Sequence, residues 1–224
     1  MKGLRLKIVY LIMKIATIIV TRSKSCHVKT MHTILRMNLR CVELGYNNEI
    51  LFVNDNPFDK AESIRKCIPT HDRILFIDFG ISMDDNSISQ IFETREGIGF
   101  LVFPAVLEGI NWDMFKEKVK ADSSEPIEQM GLEFDTVVSN KISPDIYTVD
   151  KTSSACWIMN TKNVLKKIKD KSGKYTVRPQ MSTMFADFKT KGVKIHAYTA
   201  AKLTMTYNHE CVGNILNASG IKSN

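Results

Sequence analysis

The feature that most constrains this chain is the alternation of short apolar, β-branched runs with segments of helical spacing. Ile15-Ala16-Thr17-Ile18-Ile19-Val20, Ile50-Leu51-Phe52-Val53 and Ile74-Leu75-Phe76-Ile77 are continuous runs, each closed by polar residues. Strands without polar alternation are buried on both faces, as in parallel sheets covered by helices. Between them lie helix patterns. Ser25 can cap one that carries Val28, Met31, Ile34, Leu35 and Val42 and ends at Gly45, and a second runs from about Phe58 to Cys67 before Pro69. Ser82 and Asp84 offer caps for a third through Ile88, Ile91 and Phe92, and Gly99 to Phe103 reads as a strand. The second half is less regular. A polar stretch from Ala121 to Asp150 precedes a strand at Ala155 to Met159, a lysine-rich helix, a helix near Ser182 to Lys191, and strands at Val193 to Tyr198 and Leu203 to Tyr207. The expected class is α/β with a mostly parallel central sheet flanked by helices and a smaller mixed C-terminal part.

The 224 residues suffice for one self-supporting core. The expected organisation is a single domain, with an N-terminal extension at 1–12, a first half at 14–110, a second half at 111–217 and a tail at 218–224. Ile8 to Val20 is apolar apart from Lys14 and follows a basic start, which looks like a signal peptide. The run is short for a bilayer span, and Thr21-Arg22-Ser23-Lys24-Ser25 is not a small-residue cleavage site, so a buried strand is expected and no transmembrane span. Met13 could itself be a natural start. The five cysteines are scattered with no C-x-x-C pair, which argues against a disulfide framework and for a reducing, cytoplasmic compartment.

The net charge of +7 favours an anionic partner. Nucleic acid is not expected, because no reader motif is present and the densest basic stretch, Lys162 to Lys174, has no interleaved aromatics. In an open α/β sheet, ligands bind outside the carboxyl ends of the strands. The polar residues that end the three runs, Thr21-Arg22, Asn54-Asp55 and Asp78, should therefore collect on one edge. Asp78-Phe79-Gly80 matches the kinase D-F-G tripeptide but lacks every accompanying kinase motif, and the Walker loop, nucleophile elbow and Rossmann fingerprint are absent too.

Four segments together resemble the GT-A-fold glycosyltransferases, in particular short chains of that kind encoded by phages and large DNA viruses. They are Ile18-Ile19-Val20-Thr21-Arg22; Phe76-Ile77-Asp78-Phe79-Gly80-Ile81 followed by Asp84-Asp85-Asn86-Ser87-Ile88; Val102-Phe103-Pro104 with Gly109-Ile110-Asn111-Trp112-Asp113; and Tyr207-Asn208-His209 with Gly213-Asn214. The resemblance covers most of residues 14 to 217. It implies a GT-A-like, Rossmann-like fold and transfer of a sugar from a nucleoside diphosphate sugar to a glycan or glycoprotein acceptor. The family's Asp-x-Asp motif holds a divalent cation, Mn or Mg, on the donor diphosphate; here its first carboxylate is Asp78 and the second position is Gly80. Asp84 and Asp85 could substitute only through a loop that folds back. By the same resemblance Thr21 and Arg22 contact the nucleotide, Asp55 the base, Asp78 the ribose or metal, and His209 the metal or diphosphate.

The family's acidic pair near residue 185 is replaced by Gln180-Met181-Ser182-Thr183, leaving Asp187 further along as a catalytic candidate beside Asp78. Glu108, Trp112 and Asp113 are candidates for the acceptor or sugar cleft. Two readings compete: a glycosyltransferase whose lysines and arginines replace cation charge, and a non-catalytic GT-A-fold module such as a virion component. A nucleic-acid-binding protein would rest on charge alone.

Overall fold

The computed structural model describes residues 12–170 and 172–206. The first apolar run forms β1 (Lys14–Thr21), in which Ile15 to Val20 are all buried. Strands β2 (Asn47–Asn54) and β3 (Arg73–Ile77) flank it in parallel, with Ile18 opposite Leu51 on one side and Phe76 on the other. Helices α1 (Val28–Glu43) and α2 (Pro57–Cys67) make the two crossovers. The chain continues through a short strand β4 (Ile81–Met83), helix α3 (Asp85–Phe92), strand β5 (Phe100–Val102) and helix α4 (Trp112–Lys120). A hairpin of β6 (Thr136–Ser143) and β7 (Ile146–Thr152), strand β8 (Cys156–Asn160), helices α5 (Thr161–Ile168) and α6 (Met181–Thr190), and strands β9 (Ile195–Tyr198) and β10 (Leu203–Met205) follow among the described residues.

Among the described residues eight strands form one sheet in the order β2-β1-β3-β8-β5-β9-β7-β6, while β4 and β10 pair separately. Only β8 and β7 run against the common direction. The expected mostly parallel α/β sheet flanked by helices is what the chain forms. Strand β8, from the second half of the sequence, lies between β3 and β5 of the first, so the sheet runs continuously through both halves.

Each face of the sheet has its own core. Ala16, Ile18, Val20, Phe76, Phe100 and Trp157 pack with residues of α2, α5 and α6, and the Phe76 and Trp157 rings stack with centroids 5.1 Å apart. Ile15, Leu75, Ile77, Leu101 and Phe103 pack with residues of α1 and α3 on the other side. Burial of these side chains, at about 1.5–3 kcal/mol each, is the main favourable term holding the layers together.

Three expectations need correction. The polar stretch 121–150 holds β6 and most of β7, a hairpin whose outer strand is almost wholly exposed and carries its few apolar residues, Val137, Val138 and Ile142, among polar ones. The cap of α1 is His27, whose ring nitrogen accepts from the Lys29 amide, while the Ser25 hydroxyl donates to the Arg22 carbonyl. The buried face of α1 is Thr30, Thr33, Ile34, Met37 and Cys41, leaving Val28, Leu35 and Val42 exposed. Polar ties select that face: the Met83 amide donates to the Thr33 hydroxyl at 3.0 Å, which itself meets Ser82 at 3.2 Å. No helix among the described residues is long and apolar enough to cross a membrane.

Candidate functional site

Because β1, β2 and β3 are parallel, their carboxyl ends share one edge, and antiparallel β8 brings its first residues to the same place. Thr21 stitches the edge: its hydroxyl donates to the Val53 carbonyl at 3.1 Å and its carbonyl accepts from the Asp55 amide at 3.0 Å. The chain then reverses over two residues. Arg22 and Ser25 exchange main-chain hydrogen bonds of 3.2 and 2.9 Å around Ser23 and Lys24, whose φ angles are 49° and 60°. Two successive non-glycine residues in the left-handed region carry strain, of the kind that collects at ligand-binding sites. The turn holds Arg22 over the edge. Its Nε donates to Asp55 Oδ2 at 2.7 Å, and its guanidinium lies 5.0 Å from the centroid of the Phe79 ring. Phe79 meets the His27 ring edge-on at 6.2 Å.

The centre of the cluster is Lys60. Asn56 caps α2 through bonds from the Phe58 and Asp59 amides, and Pro57 opens the helix, so Lys60 falls one turn in and points back at the strand ends. Its Nζ is 2.5 Å from Asp55 Oδ1 and 3.3 Å from Asp78 Oδ2, and its side chain is only 11% exposed. Asp78 Oδ1 accepts from the Phe79 amide at 2.7 Å. Burial pushes the Asp55 carboxyl up, but its hydrogen bonds and charge interactions with Lys60 and Arg22 outweigh that and hold it below its ordinary value. Two cations and two carboxylates thus interlock, with Lys60 inside and Arg22, 52% exposed, outside.

A third carboxylate adjoins this edge. Asp135 is buried; its Oδ1 accepts from the Ala105 amide at 3.1 Å and the Thr136 hydroxyl at 2.7 Å, and its Oδ2 from the Ala155 amide at 3.0 Å. The carbonyl of the same Ala155 accepts from the Asp78 amide at 2.8 Å, so the two aspartates grip one residue from opposite sides. Burial raises the Asp135 carboxyl above its ordinary value despite the bonds it accepts from Thr136, Ala155 and Ala105.

Of the candidates read from the sequence, Thr21, Arg22, Asp55 and Asp78 are therefore brought together. Glu108 and Asp113 are exposed on the segment that leaves the carboxyl end of β5, which shares this edge, and Trp112 opens α4 with its ring 5.7 Å from that of Phe115. Asp187 pairs with Lys191 at 2.7 Å in the last turn of α6, where the chain passes through Gly192 to the start of β9, away from the carboxyl edge. Asp84 caps α3, and Asp85 pairs with Arg36 at 2.7 Å. His209 lies outside the described residues.

Gly80 has φ +79°, and a Cβ built there would meet the Thr206 carbonyl oxygen at 2.5 Å. Position 80 thus has neither the backbone conformation nor the space for an aspartate. Among the described residues no group of three or more His, Cys, Asp or Glu side chains could hold a metal ion. These residues do not fit a divalent cation, which needs several hard oxygen ligands.

Lys60, Phe79 and Asp135 escaped the sequence reading. For Lys60 a signal existed: the Asn56-Pro57 cap sets its position one turn into a helix that begins at a strand end. Asp135 immediately precedes a strand that is itself hidden in a polar stretch.

No protein-family model matches the sequence, and no curated protein matches it. Solved structures with a similar outline include GalNAc-T7 with UDP, GalNAc and Mn2+, at 8% identity and TM-score 0.49 over 90% of this chain and 45% of that one. A chain assigned as a glucose-1-phosphate thymidylyltransferase of Bacillus anthracis, in complex with sucrose, gives 10% identity and TM-score 0.47 over 92% of this chain and 94% of its own. The inositol-1-phosphate CTP transferase of T. maritima gives 9% and 0.42 over 92% and 76%. This chain spans less than half the length of the first of them. At such identities and scores no residue role passes from these proteins to this one.

Proposed function

We propose that this chain is a transferase that takes its donor as a nucleoside diphosphate sugar, in the manner of the GT-A glycosyltransferases it resembles, with side-chain cations in place of a divalent ion. The observation that carries the reading is the Asp55–Lys60–Asp78 bridge at the carboxyl edge of three parallel strands, with Arg22 on its open side. Lys60 holds both carboxylates in place and helps keep the Asp55 carboxyl below its ordinary pKa. Asp55 then accepts from a base N–H and Asp78 from a ribose hydroxyl through lone pairs that Lys60 does not occupy. Arg22 exchanges its hold on Asp55 for the diphosphate, where a guanidinium fork matches the phosphate oxygens and offsets the charge that develops as the sugar leaves. Glu108, Trp112 and Asp113 flank the acceptor on the neighbouring segment.

The test is release of nucleoside diphosphate from a panel of nucleotide sugars, with chelator and with manganese. The expected result is slow hydrolysis or transfer with at least one donor, unchanged by chelator and lost in Arg22→Ala. A second reading, a non-catalytic module that kept this fold, is favoured by Gly80, whose surroundings exclude the missing carboxylate. No release from any donor, with or without manganese, would favour it.

A further inference from the structure

The two edges of the main sheet are built differently. At one edge, β6 has three register irregularities against β7 and carries Lys141, devices that discourage strands from adding to a sheet. The other edge, β2, has none. Its register with β1 is unbroken over all eight residues, Asn47 to Asn54, with no proline or lysine, and its one charged residue, Glu49, pairs with His71 at 2.9 Å.

The direction of the unpaired main-chain groups follows from the pairing with β1. The Asn47 amide donates to the Met13 carbonyl, the Val53 carbonyl accepts from the Thr21 hydroxyl, and the Asp55 amide donates to the Thr21 carbonyl. Odd-numbered residues of β2 therefore turn their N–H and C=O toward β1, and Asn48, Ile50 and Phe52 turn theirs outward. Among the described residues no strand pairs with that side. The same even-numbered residues put their side chains on the α1 face, where Asn48 bonds to Asn38 of α1 at 3.4 Å. Leu35 and Val42, three residues before and four after Asn38, are its neighbours on the helix surface and are 61% and 69% exposed. Phe52 is 57% exposed. An apolar patch thus adjoins a row of main-chain donors and acceptors that no strand among the described residues pairs with.

We propose that this edge pairs with the same edge of a second copy of the chain, antiparallel about a twofold axis through Leu51. The side chains in order along the outer row, Asn48-Ile50-Phe52-Asn54, read polar-apolar-apolar-polar in both directions, as an isologous antiparallel contact requires. With Leu51 opposite its own counterpart, Ile50 faces Phe52 of the second copy and Phe52 faces Ile50, and each pair exchanges two main-chain hydrogen bonds. Glu49 falls opposite Val53 of the second copy, so no like charges meet. A slip of one residue would put outward and inward main-chain groups opposite each other and lose the hydrogen bonds. The result is one sheet of sixteen strands with the α1 patches, Leu35 and Val42 included, on one face of the junction.

The test is sedimentation equilibrium of the full chain up to about 100 µM, where a dimer of micromolar dissociation constant is largely formed. The expected result is a dimer in the wild type and a monomer for Phe52→Lys, a weakening of about 100-fold or more, as expected for a charge placed in an apolar contact. Phe52 is exposed within the single chain, so the variant's thermal unfolding, extrapolated to the monomer, should be unchanged. The Ile50 and Phe52 amides should exchange more slowly as protein concentration rises. A wild-type monomer at the highest concentration would overturn the proposal, as would a dimer that Phe52→Lys leaves intact. Edge protection independent of concentration would overturn it too, because a segment of the same chain would then cover β2.

Discussion

Lys60→Met removes one charge and keeps most of the stem, so it isolates the electrostatic role of the bridge. Breaking a fully buried ion pair by deleting one partner costs about 3–5 kcal/mol, because the remaining charge is left uncompensated. Here the Asp55 and Asp78 side chains are 32% and 23% exposed, so water can reach them, and Asp55 keeps its bond from Arg22. The expected loss is therefore lower, about 2–3 kcal/mol, or the loss of about two charge-assisted hydrogen bonds less rehydration. For a domain of this size that lowers the melting temperature by about 4–12 °C. The pH dependence carries the sharper signature. Without Lys60 the Asp55 carboxyl loses the largest of the interactions that hold it below its ordinary value, so its folded pKa rises. The variant's loss relative to the wild type should then grow as pH rises from about 3 to 6, through and above the unfolded carboxylate value of about 3.9. Urea unfolding of both proteins across that range measures it, and adding Asp78→Asn to the variant should recover part of the loss. A loss under about 0.5 kcal/mol with no pH dependence would refute the reasoning, since that is how a solvated surface pair behaves.

Other consequences follow from the same edge. Gly80→Asp should destabilise the fold by about 1–3 kcal/mol in thermal or urea unfolding, because it combines a left-handed backbone with a clash at the Thr206 carbonyl, and should confer no manganese dependence. Asp135→Asn should cost about 1–3 kcal/mol, because an amide can accept through one oxygen only while three donors converge on this side chain; a smaller loss by urea unfolding would mean the three segments are held by other means. On the acid side, the depressed Asp55 carboxyl contributes stability that is present above its unfolded pKa of about 3.9 and lost as pH falls through its lower folded value. Asp55→Asn should flatten that part of the acid unfolding curve.

The strand ends were legible because a buried parallel strand has a simple signature, and a turn residue must follow it. Knowing that β1, β2 and β3 were parallel was enough to place Thr21, Arg22, Asp55 and Asp78 on one edge. Lys60 was not legible as a site residue, since a lysine one turn into a helix usually points to water; its burial depends on how α2 leans on the strands. The order of the sheet was equally hidden. The run at Ala155 to Met159 declares a strand, but its antiparallel insertion between β3 and β5 arises from long-range pairing that no local pattern encodes. On α1 the apolar spacing pointed to Val28, Leu35 and Val42, whereas the hydroxyl ties of Thr33 chose the adjacent face.

On the proposed reading, the Arg22, Asp55, Lys60 and Asp78 cluster receives a nucleoside diphosphate. Calorimetric titration of the full chain with uridine, guanosine, cytidine, adenosine and thymidine diphosphates, repeated with the monophosphates and in chelator, tests it most directly. At least one diphosphate should bind in chelator, its monophosphate more weakly, and Arg22→Ala should lose about tenfold or more, the equivalent of about 1.4 kcal/mol of phosphate contact. Binding of no diphosphate at millimolar concentration, or binding that Arg22→Ala and Asp78→Asn both leave unchanged, would contradict it.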